Sequence, residues 1–209
     1  MPGSQPGVRK YQKKAAYSVA ALNKKVNKLA RDTKPEKKHA IFNGTPGNID
    51  DTGTIQPLVA IPRGDTDQTR IGVRVRLTSM QGRARIQATG VSCATVRVIL
   101  YRDRNSLVTV PASILRYVAS GQAVISPYAD DTRQDFQVLM DKTFQVSPGQ
   151  SNDAVTFNFG RKLGKKVLWN DSDVIEQGDI KMLAISSHPA GSSSKPTFAI
   201  SGQFFYTDV

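Results

Sequence analysis

The sequence predicts an all-β body behind a basic, partly helical N-terminal arm. Beyond about Phe42 the chain breaks into about seven to nine short runs rich in Val, Ile, Thr and aromatic residues. Those runs alternate with period two or are apolar throughout, and Gly, Pro, Asp and Asn separate them. Within this body a helix is expected only at Ala112–Val118, entered after Pro111. The pattern means a β-sandwich, jelly roll or barrel rather than a βαβ fold, and by itself it leaves those three open. A length of 209 residues accommodates one domain with a tail, and 39% hydrophobic residues suffice for a core.

The arm comes first. Residues 1–14 combine Pro2, Gly3, Pro6 and Gly7 with Lys and Arg and are expected to be disordered. From 15 to 31, Ala15, Val19, Leu22, Val26 and Leu29 recur at spacings of three and four, one stripe of a helix that should end near Pro35. So short a helix is marginal alone in water and is expected to need a partner. Its stripe lacks Trp and Phe, which argues against a membrane surface. No apolar run spans a bilayer and Met1–Lys14 has no signal-peptide core, so neither membrane insertion nor secretion is expected.

Charge divides the chain at the same place. Residues 1–40 hold 11 of the 29 basic residues: Arg9, Lys10, Lys13, Lys14, Lys24, Lys25, Lys28, Arg31, Lys34, Lys37 and Lys38. Against them stand only Asp32 and Glu36, for a net +9, whereas residues 41–209 carry net +3. A cationic arm on a nearly neutral body points to a polyanion held by the arm, so these 11 residues are the candidate nucleic-acid-binding set.

Strands follow in order. Ile55–Ile61 is the first candidate. Ile71, Val73, Val75 and Leu77 alternate with Arg74, Arg76 and Thr78, and after Gln81-Gly82 the phase flips. A bulge at Gly82 would account for the slip, and the slip means that the run of Arg74, Arg76, Arg83, Arg85, Arg97, Arg102 and Arg104 on successive strands cannot all share one face. Thr95–Tyr101 is apolar on both sides of Arg97, as a strand buried on both faces should be. Phe136–Leu139 and Thr143–Val146 flank Asp141-Lys142. Ala154–Phe159 and Lys166–Trp169 flank a basic stretch whose Arg161, Lys162, Lys165 and Lys166 read as a soluble turn or as a second phosphate patch. Ile180–Ser186 and Pro196–Tyr206 complete the set.

Chemistry of the catalytic kind finds little support. His39 and His188 have no patterned partners, and Cys93 lacks a nucleophile signature and reads as a small buried residue. Gly160–Lys166 contains a Gly-Lys pair but neither the spacing nor the Ser/Thr of a phosphate-binding loop. Glu is limited to Glu36 and Glu176, so no enzyme is expected. Asp pairs at 50–51, 65 and 67, 130–131, and 171 and 173 read as turn residues; no cofactor is expected, with Ca²⁺ at subunit interfaces the one alternative kept. Tyr101, Tyr128 and Trp169 are candidates to stack on bases, against a default of core packing.

Several segments then read together. Arg70–Met80, Thr95–Asp103, Ser126-Pro127-Tyr128, Phe136–Phe144 and Ile200–Asp208, in that order behind a Lys/Arg-rich arm, resemble the capsid proteins of small circular Rep-encoding single-stranded DNA viruses. They are similar as well to the coat proteins of satellite necrosis-type plant viruses. The resemblance covers residues 55–208. It implies a single eight-stranded viral jelly roll over residues 41–209, two facing antiparallel sheets, with residues 1–40 as the nucleic-acid-binding arm. It also implies about sixty copies in a small icosahedral (T=1) shell around a single-stranded genome, with DNA favoured over RNA and the Lys-rich arm leaving the choice open. About sixty arms at net +9 would bring about 540 charges to the genome. Host factors that read the arm's lysine pairs for nuclear import would be further partners, and the virion, host nucleus and cytoplasm the locations. Loops 41–54, 103–111 and 188–195 are candidates for subunit contacts or the outer surface. The alternative is a non-capsid single-stranded nucleic-acid-binding β-barrel with a basic tail, against which the body's low net charge counts.

Overall fold

Period-two alternation dictates strands with one buried face, and among the described residues nine strands, most of that kind, build two antiparallel sheets. They are β1 (Lys38–Asn48), β2 (Thr54–Pro57), β3 (Arg74–Gln87), β4 (Ala94–Asp103), β5 (Phe136–Val146), β6 (Ala154–Trp169), β7 (Ile175–Gln177), β8 (Ile180–Ser186) and β9 (Thr197–Asp208). A computed structural model describes Val19 and residues 21–26, 35–90, 92–119, 122–149 and 153–209. The chain divides into two units, Met1–Glu36 and Lys37–Val209. In the first, Val19 and residues 21–26 are helical, and Val19, Leu22 and Val26 of the expected stripe are exposed. Ala15 and Leu29 lie outside the described residues.

In the second unit, sheet A has the order β1-β9-β3-β6-β7 and sheet B the order β2-β8-β4-β5. The pairs nest: β1 with β9, β2 with β8, β3 with β6 and β4 with β5, all antiparallel. An antiparallel ribbon folded over on itself gives this order, which is the jelly roll. The eight strands of the expected jelly roll are present among the described residues, and β7 adds three residues beside β6. The main core lies between the sheets, with Phe42, Phe204 and Tyr206 from β1 and β9 facing Val96, Val98 and Leu100 of β4. Phe42–Phe204 and Phe144–Phe157 ring pairs at 5.0 and 4.4 Å fill it.

Sheet B is covered on both sides, which is why β8 is buried at every position. The 104–135 segment lies over its outer face and makes a second core of Val108, Ile114, Leu115 and Ala123 against Ile99, Tyr101 and Phe136. Within that segment the expected helix at 112–118 is not formed. Among its described residues only two single 3-10 turns appear, Pro111–Ser113 and Ala123–Ile125.

Three strand expectations need correction. Loop 41–54 is strand as far as Asn48: pairing with β9 along an edge overrides the Gly, Pro and Asn signals of Gly44–Asn48, and an edge tolerates Pro46. Asp141-Lys142 and Gly160–Lys165 do not separate strands but lie inside β5 and β6. The Gly160–Lys165 stretch instead bulges, with Gly164 at φ +58°. The phase slip of β3 sits at Thr78, between Leu77 and Ser79 in both pairings, and not at Gly82. The Thr78 hydroxyl donates to the Phe205 carbonyl at 2.9 Å, tying the extra residue to β9.

Candidate nucleic-acid interface

The arm's candidate residues are only partly described. Lys24 and Lys25 are exposed on the helical segment, and Lys37 is exposed where the second unit begins. Arg9, Lys10, Lys13, Lys14, Lys28, Arg31 and Lys34 lie outside the described residues. Lys38 stands apart from the rest. It is buried in β1, its ammonium 2.9 Å from the Asp208 carboxylate and donating to the Thr69 carbonyl at 3.1 Å. That lysine clasps the first strand to the last, and its charge is neutralised within the fold.

The bulge at Thr78 decides where the body's charge goes. Before it, β3 buries Val75 and Leu77 and exposes Arg74 and Arg76; after it, β3 buries Met80, Ala84 and Ile86 and exposes Arg83 and Arg85. One inserted residue therefore restores all four arginines to the same outer face, where two unslipped halves would have split them. Arg97 and Arg102 lie on β4 of sheet B, so the seven arginines of the run do not all share one face, as expected, but the slip does not divide the four of β3. Lys162 and Lys166 of β6 stand opposite Ser79 and Arg76 on that face. The ion pairs formed by Asp50, Asp103, Asp130, Asp141, Asp173, Asp179 and Asp208 use none of these six cations.

The segregation is strong. Strands β1, β9, β3 and β6 hold nine Lys and Arg and a single acid, Asp208, which Lys38 already occupies. The near-neutral total of the body thus conceals a basic sheet face whose balancing acids lie elsewhere. A face of this kind concentrates phosphate-bearing polymers without reading their sequence. The sequence signal was present in the parity of the arginines; locating the bulge was the missing step.

The remaining candidates are structural. Arg97 grips Asp141 through two bonds of 2.9 and 2.7 Å and donates to the Ser126 carbonyl at 2.6 Å, fastening the 123–128 segment to sheet B. Burial pulls the Asp141 carboxyl upward, but hydrogen bonds from Arg97 and Tyr128 outweigh it and hold the group below its ordinary value. Arg70 is buried over the Trp169 ring at 4.4 Å and paired with Asp173. Trp169 and Tyr101 are core residues, and Tyr128 is held by Asp141, so none of the three presents a free ring. Cys93 is exposed rather than buried. His39 lies in β1 rather than in the arm, and His188 is buried in its loop.

The Asp pairs serve turns and ion pairs. Asp50 accepts from the Thr52 N–H at 3.0 Å and meets Lys195 at 3.0 Å, and Asp130 pairs with Arg116. Among the described residues no three His, Cys, Asp or Glu side chains converge as a metal site. No described helix is long and apolar enough to cross a membrane.

The family model of the satellite tobacco necrosis virus coat protein matches residues 8–209. No curated protein matches the sequence. Among solved structures, a chain of Desmodium yellow mottle tymovirus is similar over 84% of this chain and 89% of its own, with 12% identity and a TM-score of 0.41. A chain of turnip yellow mosaic virus is similar over 84% and 82%, with 11% identity and a TM-score of 0.37. Of the two resemblances read from the sequence, the match is to the satellite necrosis type and not to the circular Rep-encoding type.

Proposed function

The chain belongs to the satellite tobacco necrosis virus coat protein family, and from that premise we propose that it closes into a T=1 shell of about sixty copies and packages a single-stranded genome through its basic arm. As a coat protein it is a structural component of the virion rather than an enzyme. The observation that carries the packaging step is the reach of the family match, which takes in the cationic arm and the jelly roll together. The jelly roll also sets aside the single-barrel alternative, since its core lies between two facing sheets.

The division of work follows from the physics. Lysine-rich chain neutralises phosphate as point charges and tolerates any sequence. Closed shells require self-complementary rigid surfaces, and a stable contact needs about 1,000 Å² or more. The body offers exposed apolar side chains for that purpose at Leu107, Val110, Tyr117 and Ile125, all on the segment that covers sheet B. Lysine pairs in the arm serve host import factors, which fits assembly around a DNA genome in the nucleus.

Replacing the arm's basic residues by Gln in the full-length chain tests the packaging step. The expected result is particles of the same size with several-fold less nucleic acid, read from the ratio of absorbance at 260 and 280 nm. Unchanged content would overturn it. Digestion of the extracted polymer by DNase or by RNase decides the genome's chemistry.

A further inference from the structure

Loop 104–110 is fastened to sheet B by two buried charges. The Asp103 carboxylate, at the end of β4, accepts from the Val108 N–H at 3.0 Å and from the Asn105 N–H at 3.3 Å. Lys181, at the start of β8, donates to Asp103 at 2.7 Å and to the Val108 carbonyl at 3.1 Å. Both polar groups of the Val108 backbone are thereby held, and its side chain is buried in the second core. Leu107 and Val110, beside this anchor, are exposed. Ser106 enters the turn at φ +56°, a left-handed conformation that costs a non-glycine residue energy, so the loop keeps its shape only while its anchors hold. A third charge shares the pocket. The Asp179 carbonyl accepts from the Asp103 N–H at 2.8 Å, which sets the two acids side by side. The buried Asp179 carboxylate stands 3.9 Å from the Lys181 ammonium, and one of its oxygens has no hydrogen-bond partner; the buried Tyr101 hydroxyl has none either. Other charges nearby turn elsewhere: Arg102 donates to the Lys166 carbonyl at 3.2 Å, and Arg104 and Glu176 are exposed. One ammonium balances only one of the two carboxylates. A proton on Asp179 leaves the pocket neutral, and its loss leaves a buried negative charge uncompensated.

We propose that Asp103, Asp179 and Lys181 form a pH-sensitive latch: with Asp179 protonated, Lys181 holds loop 104–110 and its apolar side chains in the shape that joins copies of this chain, and when Asp179 ionises the latch opens. The latch rests on the self-assembly proposed above and gives that step a control. Ionised, Asp179 draws Lys181 away from Asp103 and from the Val108 carbonyl, and it draws water into the pocket. Both effects free Val108, and with it Leu107 and Val110. Burial holds the closed-state value of Asp179 up to about 7, against an ordinary 3.8 that the acid regains once the latch is open to water. The closed form binds the proton more tightly, so it is stable at low pH and weakens as pH rises to about 7. With these two values the open form gains about tenfold in relative population from about pH 6 to about pH 8. The histidines that titrate in the same range lie elsewhere: His188 follows the far end of β8, and His39 is in β1 of sheet A.

The test uses the full-length chain. Dissociated subunits exchange their amide hydrogens for deuterium at those two pH values, and peptides covering 104–110 are followed by mass spectrometry, corrected for the intrinsic change of exchange with pH. The latch predicts corrected exchange about tenfold faster at the higher pH in this loop. D179N, which mimics the protonated acid, should keep the low-pH rate at both. D130N, which removes an exposed acid on the same segment, should behave as the parent. Particles sedimented under the same conditions should loosen or dissociate at the higher pH for the parent and D130N, and stay intact for D179N. Equal corrected exchange at both pH values in the parent, a reading that needs no variant, would overturn the latch and leave self-assembly intact. A pH response that survives in D179N would overturn the assignment to Asp179 in favour of another titrating group. A loop that opens in particles of unchanged sedimentation would overturn its control of the contact between copies. Subunits that form no particle at either pH would overturn the self-assembly reading, and that control with it, even where the loop still responds.

Discussion

At the end of sheet B, Asp103, Asp179 and Lys181 share one buried pocket under Tyr101. The Lys181 ammonium donates to Asp103 at 2.7 Å and to the Val108 carbonyl at 3.1 Å, while Asp179 stands 3.9 Å off with one oxygen unpartnered. Two carboxylates thus compete for one lysine. Burial pushes Asp179 up to about 7; Lys181 pulls it down and Asp103 pushes it further up. The folded state therefore binds a proton that the unfolded chain, at its ordinary 3.8, releases earlier. Stability contributed by this group is full below pH 3.8 and declines as pH rises from there to about 7. Asp179→Asn should flatten that decline in thermal melts collected between those pH values; a decline of unchanged slope would refute the assignment. Lys181→Met leaves both carboxylates buried without their cation and should cost about 3–5 kcal/mol in a denaturant titration. None of this was legible in the sequence, because Asp179 and Lys181 reach Asp103 only through the β4–β8 pairing.

Elements carry the next scale. Sheet A is held flat against the core at one row by the Gly82–Gly202 pair, over which the Phe42 and Phe159 rings approach to 6.4 Å. A Cβ on Gly202 would meet the Gln81 carbonyl at 2.4 Å and the Phe42 ring at 2.5 Å, and neither has room to yield. Gly202→Ala should destabilise the fold by about 1–3 kcal/mol, seen as a lowered melting temperature of the subunit. Gly191→Ala, in open space, should not. On the other side of the molecule, Ile125 is 79% exposed on the segment over sheet B. Ile125→Asp should leave the subunit folded by circular dichroism while lowering particle yield by sedimentation; full yield would remove that segment from the contact surface. Strands with strong β-branched content, such as β4 and β8, could be read directly from the sequence. The β1 strand could not, because its Gly, Pro and Asn residues are tolerated only by its edge position beside β9. Nor could the unity of β6, since a bulge at Gly164 mimics a turn in one dimension.

At the scale of the whole molecule, charge was legible in amount but not in placement. The arm's net +9 is plain in the sequence. The basic face of sheet A is not, because a single inserted residue at Thr78 decides whether four arginines converge or divide. Once that residue is placed, the protein has two cationic surfaces of different kind. One is a lysine-rich arm, and the other is an arginine-rich sheet with fixed geometry.

The central claim is that this chain encloses nucleic acid by assembling with itself, and light scattering of the purified full-length protein coupled to absorbance at 260 nm measures both halves at once. About sixty copies of 22.8 kDa give a species near about 1.4 MDa before its nucleic acid is added. The account predicts a uniform population at or above that mass whose absorbance shows co-purified nucleotide. A population that stays at the mass of one or two subunits at every salt and pH, free of nucleotide, would contradict it.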